Sequence, residues 1–106
     1  MPALPQGTLD LMILQTLAKR PRHGYAIARW IEESTDDLLA VQEGALYQAL
    51  ARLHKRGWIR AEWARSELNK DVKVYRLTPR GRKELARRAS SWQALAHAMT
   101  KVFNAE

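Results

Sequence analysis

A chain of 106 residues with 46% apolar residues, 18 Lys and Arg against 11 Asp and Glu, and no Cys has room for one small domain and not for separate cofactor and substrate domains. Without cysteine, disulfides, iron–sulfur clusters and thiolate zinc sites are excluded. Met1-Pro2-Ala3-Leu4-Pro5 lacks the basic start of a secretory signal, and Leu11-Met12-Ile13-Leu14 is too short to span a bilayer, so a cytoplasmic chain is expected.

Leu9, Ile13 and Leu17 recur at four-residue spacing with Met12 beside them, Asp10 falls in the first turn where the helix dipole favours an acid, and Lys19-Arg20-Pro21 closes the run. This predicts a first helix. A second opens at Gly24-Tyr25, places Ile27 and Ile31 on one face, and ends at the turn-forming Ser34-Thr35-Asp36-Asp37. From Glu43 to Arg56 a third helix carries Leu46, Leu50 and Leu53 on one stripe, with Gly57 as its stop. From Trp58 the period becomes two: Ile59, Ala61 and Trp63 point one way, Arg60 and Glu62 the other, as in a half-buried strand. A polar stretch containing Asn69 leads to Val72–Leu77, rich in strand formers, so the two segments read as a hairpin. Thr78 as N-cap and Pro79 at the first helical position then start a fourth helix. Along it Leu85, Ala89, Trp92, Ala96, Met99 and Phe103 follow the four-three spacing of a coiled-coil seam or interhelical packing stripe; such a stripe can pack on its own domain, but a body of about 80 residues has little room for one this long, so an intermolecular, dimerising role is expected.

The positive charge is one-sided. Residues 1–50 hold four Lys and Arg against six acids, and residues 51–106 fourteen against five. Most of the excess lies between Arg52 and Arg88, interleaved with Trp58, Trp63 and Tyr75, so the cations sit on folded structure and suit a polyanion. Three helices followed by a hairpin is the order of a winged helix-turn-helix, in which the third helix enters the major groove of DNA. With Leu46, Leu50 and Leu53 facing inward, a turn of about 100° per residue puts Gly44, Gln48, Ala51, Arg52 and Lys55 outward. Gly44 and Ala51 allow close approach, Gln48 can pair with an adenine edge, Arg52 can read guanine or bind phosphate, and Lys55 suits phosphate. The expected fold is therefore mainly α with a small β-hairpin: a winged helix-turn-helix over residues 1–78 and a dimerisation helix over 79–106.

These residues also carry a family likeness. Gly7-Thr8-Leu9-Asp10-Leu11, His23-Gly24-Tyr25, Gly44-Ala45-Leu46-Tyr47, Arg52-Leu53, Gly57-Trp58-Ile59, Glu62-Trp63 and Lys73-Val74-Tyr75-Arg76-Leu77-Thr78, in that order, resemble the PadR-like bacterial transcriptional regulators, in particular the short subgroup with a single C-terminal helix. The resemblance implies a dimeric DNA-binding repressor, with C-terminal helices forming the dimer, the third helix and wing on operator DNA, and Tyr47 and Lys73 approaching phosphates; a dimer presenting two basic winged helices is expected to bind a palindromic operator. Some relatives bind flat aromatic molecules between tryptophans at the dimer centre, which places a small aromatic effector beside Trp92 among the alternatives. Two positions depart from the family pattern. Gln48 stands where relatives often have Pro, and at the wing tip Lys70 is followed by Asp71 in place of a second cation.

Catalysis finds no support. His23, His54 and His97 are isolated, with no paired carboxylates, Gly-rich phosphate loop or metal-ligand spacing, and Ser90 and Ser91 lie inside a helix. His23 reads as a structural residue at a helix start. No enzyme, cofactor or metal is expected. The competing function is a winged-helix protein-interaction module that does not read DNA.

Overall fold

The structure, a computed structural model, describes residues 6–106; the Met1–Pro5 segment read above for a signal lies outside the described residues. Its elements are α1 (Gln6–Lys19), β1 (Arg22–His23), α2 (Gly24–Ser34), α3 (Glu43–Lys55), β2 (Ile59–Arg65), β3 (Asp71–Leu77) and α4 (Pro79–Asn104). The architecture is the expected one, mainly helical with a small antiparallel sheet. Ile13, Leu14 and Leu17 of α1, Ile27 and Ile31 of α2, and Leu46, Leu50 and Leu53 of α3 are buried together, the apolar faces that the helical spacing marks. Asp10 differs from its expectation. It lies in the second turn of α1 and is buried against Arg52, so it serves an ion pair and not the dipole.

The sheet has a third strand, with β1 pairing β3 through Arg22↔Tyr75 and His23↔Val74 to give the order β1-β3-β2. Two residues are too few to display alternation, so no periodic signal announces β1. His23 then caps α2, its Nδ1 accepting from the Ala26 N–H at 3.3 Å, the structural role expected of it.

In the hairpin, Ile59↔Leu77, Ala61↔Tyr75, Trp63↔Lys73 and Arg65↔Asp71 share one face. This inner face starts in the core, where Ile59 and Tyr75 are buried, and runs outward into solvent, where Trp63 is 71% exposed. Trp63 thus shares the side of Ile59 and Ala61 as the alternation predicts, but the core ends before reaching it. At the tip, Asn69 takes φ 60° and its N–H donates to Ser66 O at 2.9 Å, the left-handed backbone that Asn tolerates.

Thr78 joins hairpin, α3 and α4. Its hydroxyl accepts from the Gly81 N–H at 3.0 Å and donates to Gly57 O at 2.8 Å, and its own N–H donates to Trp58 O at 3.0 Å. Gly57 ends α3 with φ +76°, and Arg56 and Arg88 lie over the Trp58 ring with their guanidinium carbons 5.0 and 4.7 Å from its centroid. From this joint α4 runs 26 residues, about 39 Å at 1.5 Å per residue, and makes the molecule 59 Å long and 29 by 21 Å across. The residues of the expected seam divide along it. Leu85 is buried and Ala89 packs on the core of their own chain, whereas Trp92, Met99 and Phe103 are exposed, together with Leu95 and Val102. No described helix is long and apolar enough to cross a membrane.

Candidate nucleic-acid interface

With Leu46, Ala49, Leu50 and Leu53 inside, α3 leaves Gly44, Tyr47, Gln48, Ala51, His54 and Lys55 exposed. Gly44, Gln48, Ala51 and Lys55 form the centre of that outward face, as the helical turn predicts. Apart from its chain neighbours and the backbone of its own helix, no heavy atom lies within 4 Å of a Cβ built on Gly44, so the surface there is open for close approach. Helix α3 also ends with Arg52 and Lys55 in its last turn, where cations meet the negative end of the dipole.

Arg52 is the exception among the expected outward residues. Its Nη2 donates to Asp10 Oδ1 at 2.7 Å, with the two side chains 27% and 4% exposed. The guanidinium expected to read guanine or phosphate is drawn against α1, because a buried carboxylate requires a cationic partner more than an exposed helix face requires a charge.

On the wing side, Tyr47, Ala51, His54 and Lys55 of α3 and Ala61, Lys73 and Tyr75 of the hairpin line an open groove. Tyr47 is tied to α2: a Cβ on Gly24 would stand 2.7 Å from its hydroxyl, so the bare Gly24 makes the seat for the phenol. Burial first, and the neighbouring Tyr47 second, push the Tyr75 hydroxyl above its usual range. Lys73 Nζ lies 6.0 Å from the Trp63 ring centroid, within cation–π reach. Lys70 is exposed at the wing tip. Beside it Arg65 is held by Asn69 Oδ1 at 2.7 Å and by Asp71 at 3.3 Å, so the acid that departs from the family pattern offsets a wing cation.

The surface formed by α3 and the inner face of the hairpin is thus basic, small-residued at its centre and rimmed by exposed aromatic rings. It can approach a polyanion closely and offer it hydrogen-bond donors. The sequence reading missed two members of it. His54 follows Ala51 by three residues and so shares its side of the helix, a signal that was present. Trp63 gave none, since alternation cannot say where a core ends. Among the described residues no group of His, Asp or Glu could hold a metal ion.

Comparison with known proteins agrees with this geometry. Over 87 residues, 82% of this chain and 80% of the other, the sequence is 30% identical to an uncharacterised protein X of Lysinibacillus sphaericus. A transcriptional regulator from Clostridium thermocellum superposes with a TM-score of 0.82 at 33% identity, covering 91% of this chain and 93% of that one. A PadR family regulator from Eggerthella lenta gives a TM-score of 0.81 at 26% identity over 95% and 86% of the two chains. Residues 13–87 match the Transcriptional regulator PadR-like family, whose members bind DNA to control transcription and are not enzymes. By that match and by its winged-helix fold with a long C-terminal helix, the chain belongs to the PadR-like family of transcriptional regulators.

Proposed function

We propose that the chain is a dimeric, sequence-specific DNA-binding repressor that works on a palindromic operator in the cytoplasm. The observation that carries this reading is the exposed α3 face, Gly44, Gln48, Ala51 and Lys55, continuous with the Lys73 side of the wing. In it Gln48 supplies base readout, while Tyr47, Lys55, Lys70 and Lys73 grip phosphates. Dimerisation takes residues 79–106, with Trp92, Ala96, Met99 and Phe103 as the seam; Leu85 and Ala89 support it from within their own domain. A two-fold dimer presents two such faces, so its half-sites stand about one helical turn apart or a multiple of it. Seated on a promoter, the dimer blocks access to it. The open groove of Gly7, Thr8, Leu11, Arg88, Trp92 and Leu95 between α1 and α4 is the seat for a small aromatic effector, whose binding would quench tryptophan emission.

Selection of bound duplexes from a random DNA pool, followed by titration at several salt concentrations, tests the reading. A palindromic consensus with log K falling steeply in log salt is expected. Binding that is undetectable at low salt, or flat in salt, overturns it in favour of a protein-interaction module.

A further inference from the structure

The DNA reading leaves Arg52 without an outward role. It stands in the last turn of α3, beside the exposed Ala51, yet reaches 42 residues back along the chain to donate to Asp10 Oδ1 of α1 at 2.7 Å. Asp10 is almost wholly withdrawn from solvent, with 4% of its side chain exposed. A carboxylate in such a place is costly unless a donor of opposite charge meets it in good geometry. The contact is therefore demanding in direction and distance, as charge-assisted hydrogen bonds are. Leu46, Ala49, Leu50 and Leu53 seat α3 on the core, and Tyr47 rests against Gly24 of α2; the apolar part of this packing is non-directional and tolerates small rotations and slides. The ion pair supplies a directional restraint. It pins the C-terminal end of α3 to the second turn of α1 and so fixes how the Gly44–Lys55 face is rotated.

We infer that Asp10 and Arg52 act together as positioning residues for the recognition helix, so that Arg52 governs sequence discrimination through Asp10 without touching a base. The inference rests on the reading that α3 enters the groove of DNA. It assigns to Asp10, a buried residue on a helix away from the outward face, an effect on operator choice.

The test uses the full chain and an operator taken from the random-pool selection, with a random-sequence duplex of equal length as reference. Affinities and salt slopes are measured for the parent, Asp10→Asn, Arg52→Gln, Arg52→Lys and the Asp10→Asn/Arg52→Gln double variant. Each single variant is expected to weaken the operator complex by about tenfold or more while the random duplex changes by less than about twofold, and the double variant should lose no more than either single one. The salt slope should stay put, because no phosphate contact is removed. Arg52→Lys should behave like Arg52→Gln, since an ammonium does not reproduce the guanidinium fork. A mere loss of folded protein would lower both complexes alike, so discrimination between the two duplexes is the informative readout. Should the single variants fail to fold, Asp10→Leu/Arg52→Met replaces the pair by apolar side chains of similar size; it is expected to fold and bind random DNA but to discriminate poorly.

Parent-like discrimination in Asp10→Asn or in the apolar pair overturns the inference. If Asp10→Asn is silent while Arg52→Gln loses preference at one base pair, Arg52 is a base reader; if Arg52→Gln lowers both complexes and the salt slope by about one unit, it is a phosphate contact. A parent that prefers no sequence and shows no salt dependence overturns the DNA reading, and this inference with it.

Discussion

At the scale of single residues, gripping and reading DNA should separate. Lys73 lies on the inner face of the wing with its ammonium near Trp63 and beside the α3 groove, so Lys73→Ala should weaken every duplex by a similar factor and reduce the salt slope by roughly one unit per subunit. Gln48, at the centre of the exposed face of α3, should fail differently. If it reads an adenine edge, Gln48→Ala costs about 1–3 kcal/mol on the operator and relaxes one base pair, leaving random DNA nearly unaffected. Competition titrations of both variants against cognate, singly substituted and random duplexes distinguish the two, and identical behaviour would remove Gln48 from base readout. Another residue-scale prediction concerns stability. A Cβ on Gly81 would stand 1.9 Å from Trp58 O, a backbone atom that is itself held by the Thr78 N–H. Gly81→Ala must therefore push α4 off the α3–hairpin corner, and destabilisation of about 1–3 kcal/mol or more is expected, read as a lowered thermal midpoint. An unchanged midpoint would mean that the corner relaxes freely.

At the scale of elements, the wing tip holds an acid against one of its own cations. Asp71 faces Arg65 across the hairpin end at 3.3 Å, with both side chains largely exposed, so the pair adds little to stability while it subtracts from the positive field of the tip. Asp71→Asn should leave the fold intact, strengthen binding to random DNA and steepen its salt dependence; a weaker complex would show that Asp71 orders the tip for contact. How legible each element is in the sequence follows from the range of the interactions that build it. Thr78-Pro79 and Gly57 are local signals, a cap, a preset φ and a left-handed stop, and the structure uses each at the position it marks. The three apolar stripes of α1, α2 and α3 are equally local. β1 is two residues long and exists only because β3 offers it an edge, so nothing in Arg22-His23 announces it. Trp63 has the parity of a core residue but lies beyond the reach of the core, and Arg52 has the phase of an outward residue but is claimed by Asp10. Both depend on how far other elements extend, which periodicity does not encode.

At the scale of the whole molecule, α4 poses the remaining question, because its first turns and its last half do different work. Leu85 and Ala89 complete the core of their own domain, whereas Trp92, Leu95, Met99, Val102 and Phe103 are exposed along the part of the helix beyond it. Ala96, between Trp92 and Met99, is only half exposed and gives the stripe a small residue where a second helix can come close. An isolated helix stabilised by nothing but its own hydrogen bonds is marginal in water, and an apolar stripe of this length left wet would favour association. The proposed dimer would meet both needs. In the proposed dimer the stripe of one α4 would face that of the other, as a two-fold interface requires, and would set the two α3 faces at a fixed separation. Trp92→Asp with Met99→Asp places two charges in that seam, where desolvation without a partner is costly. Because both residues are exposed in the single chain, the domain itself should still fold. Sedimentation velocity is expected to report a folded monomer, and operator affinity should fall far more than affinity for a half-site, since the second domain no longer binds at the effective concentration that the dimer provides. A folded dimer that persists in the double variant would take the seam away from α4.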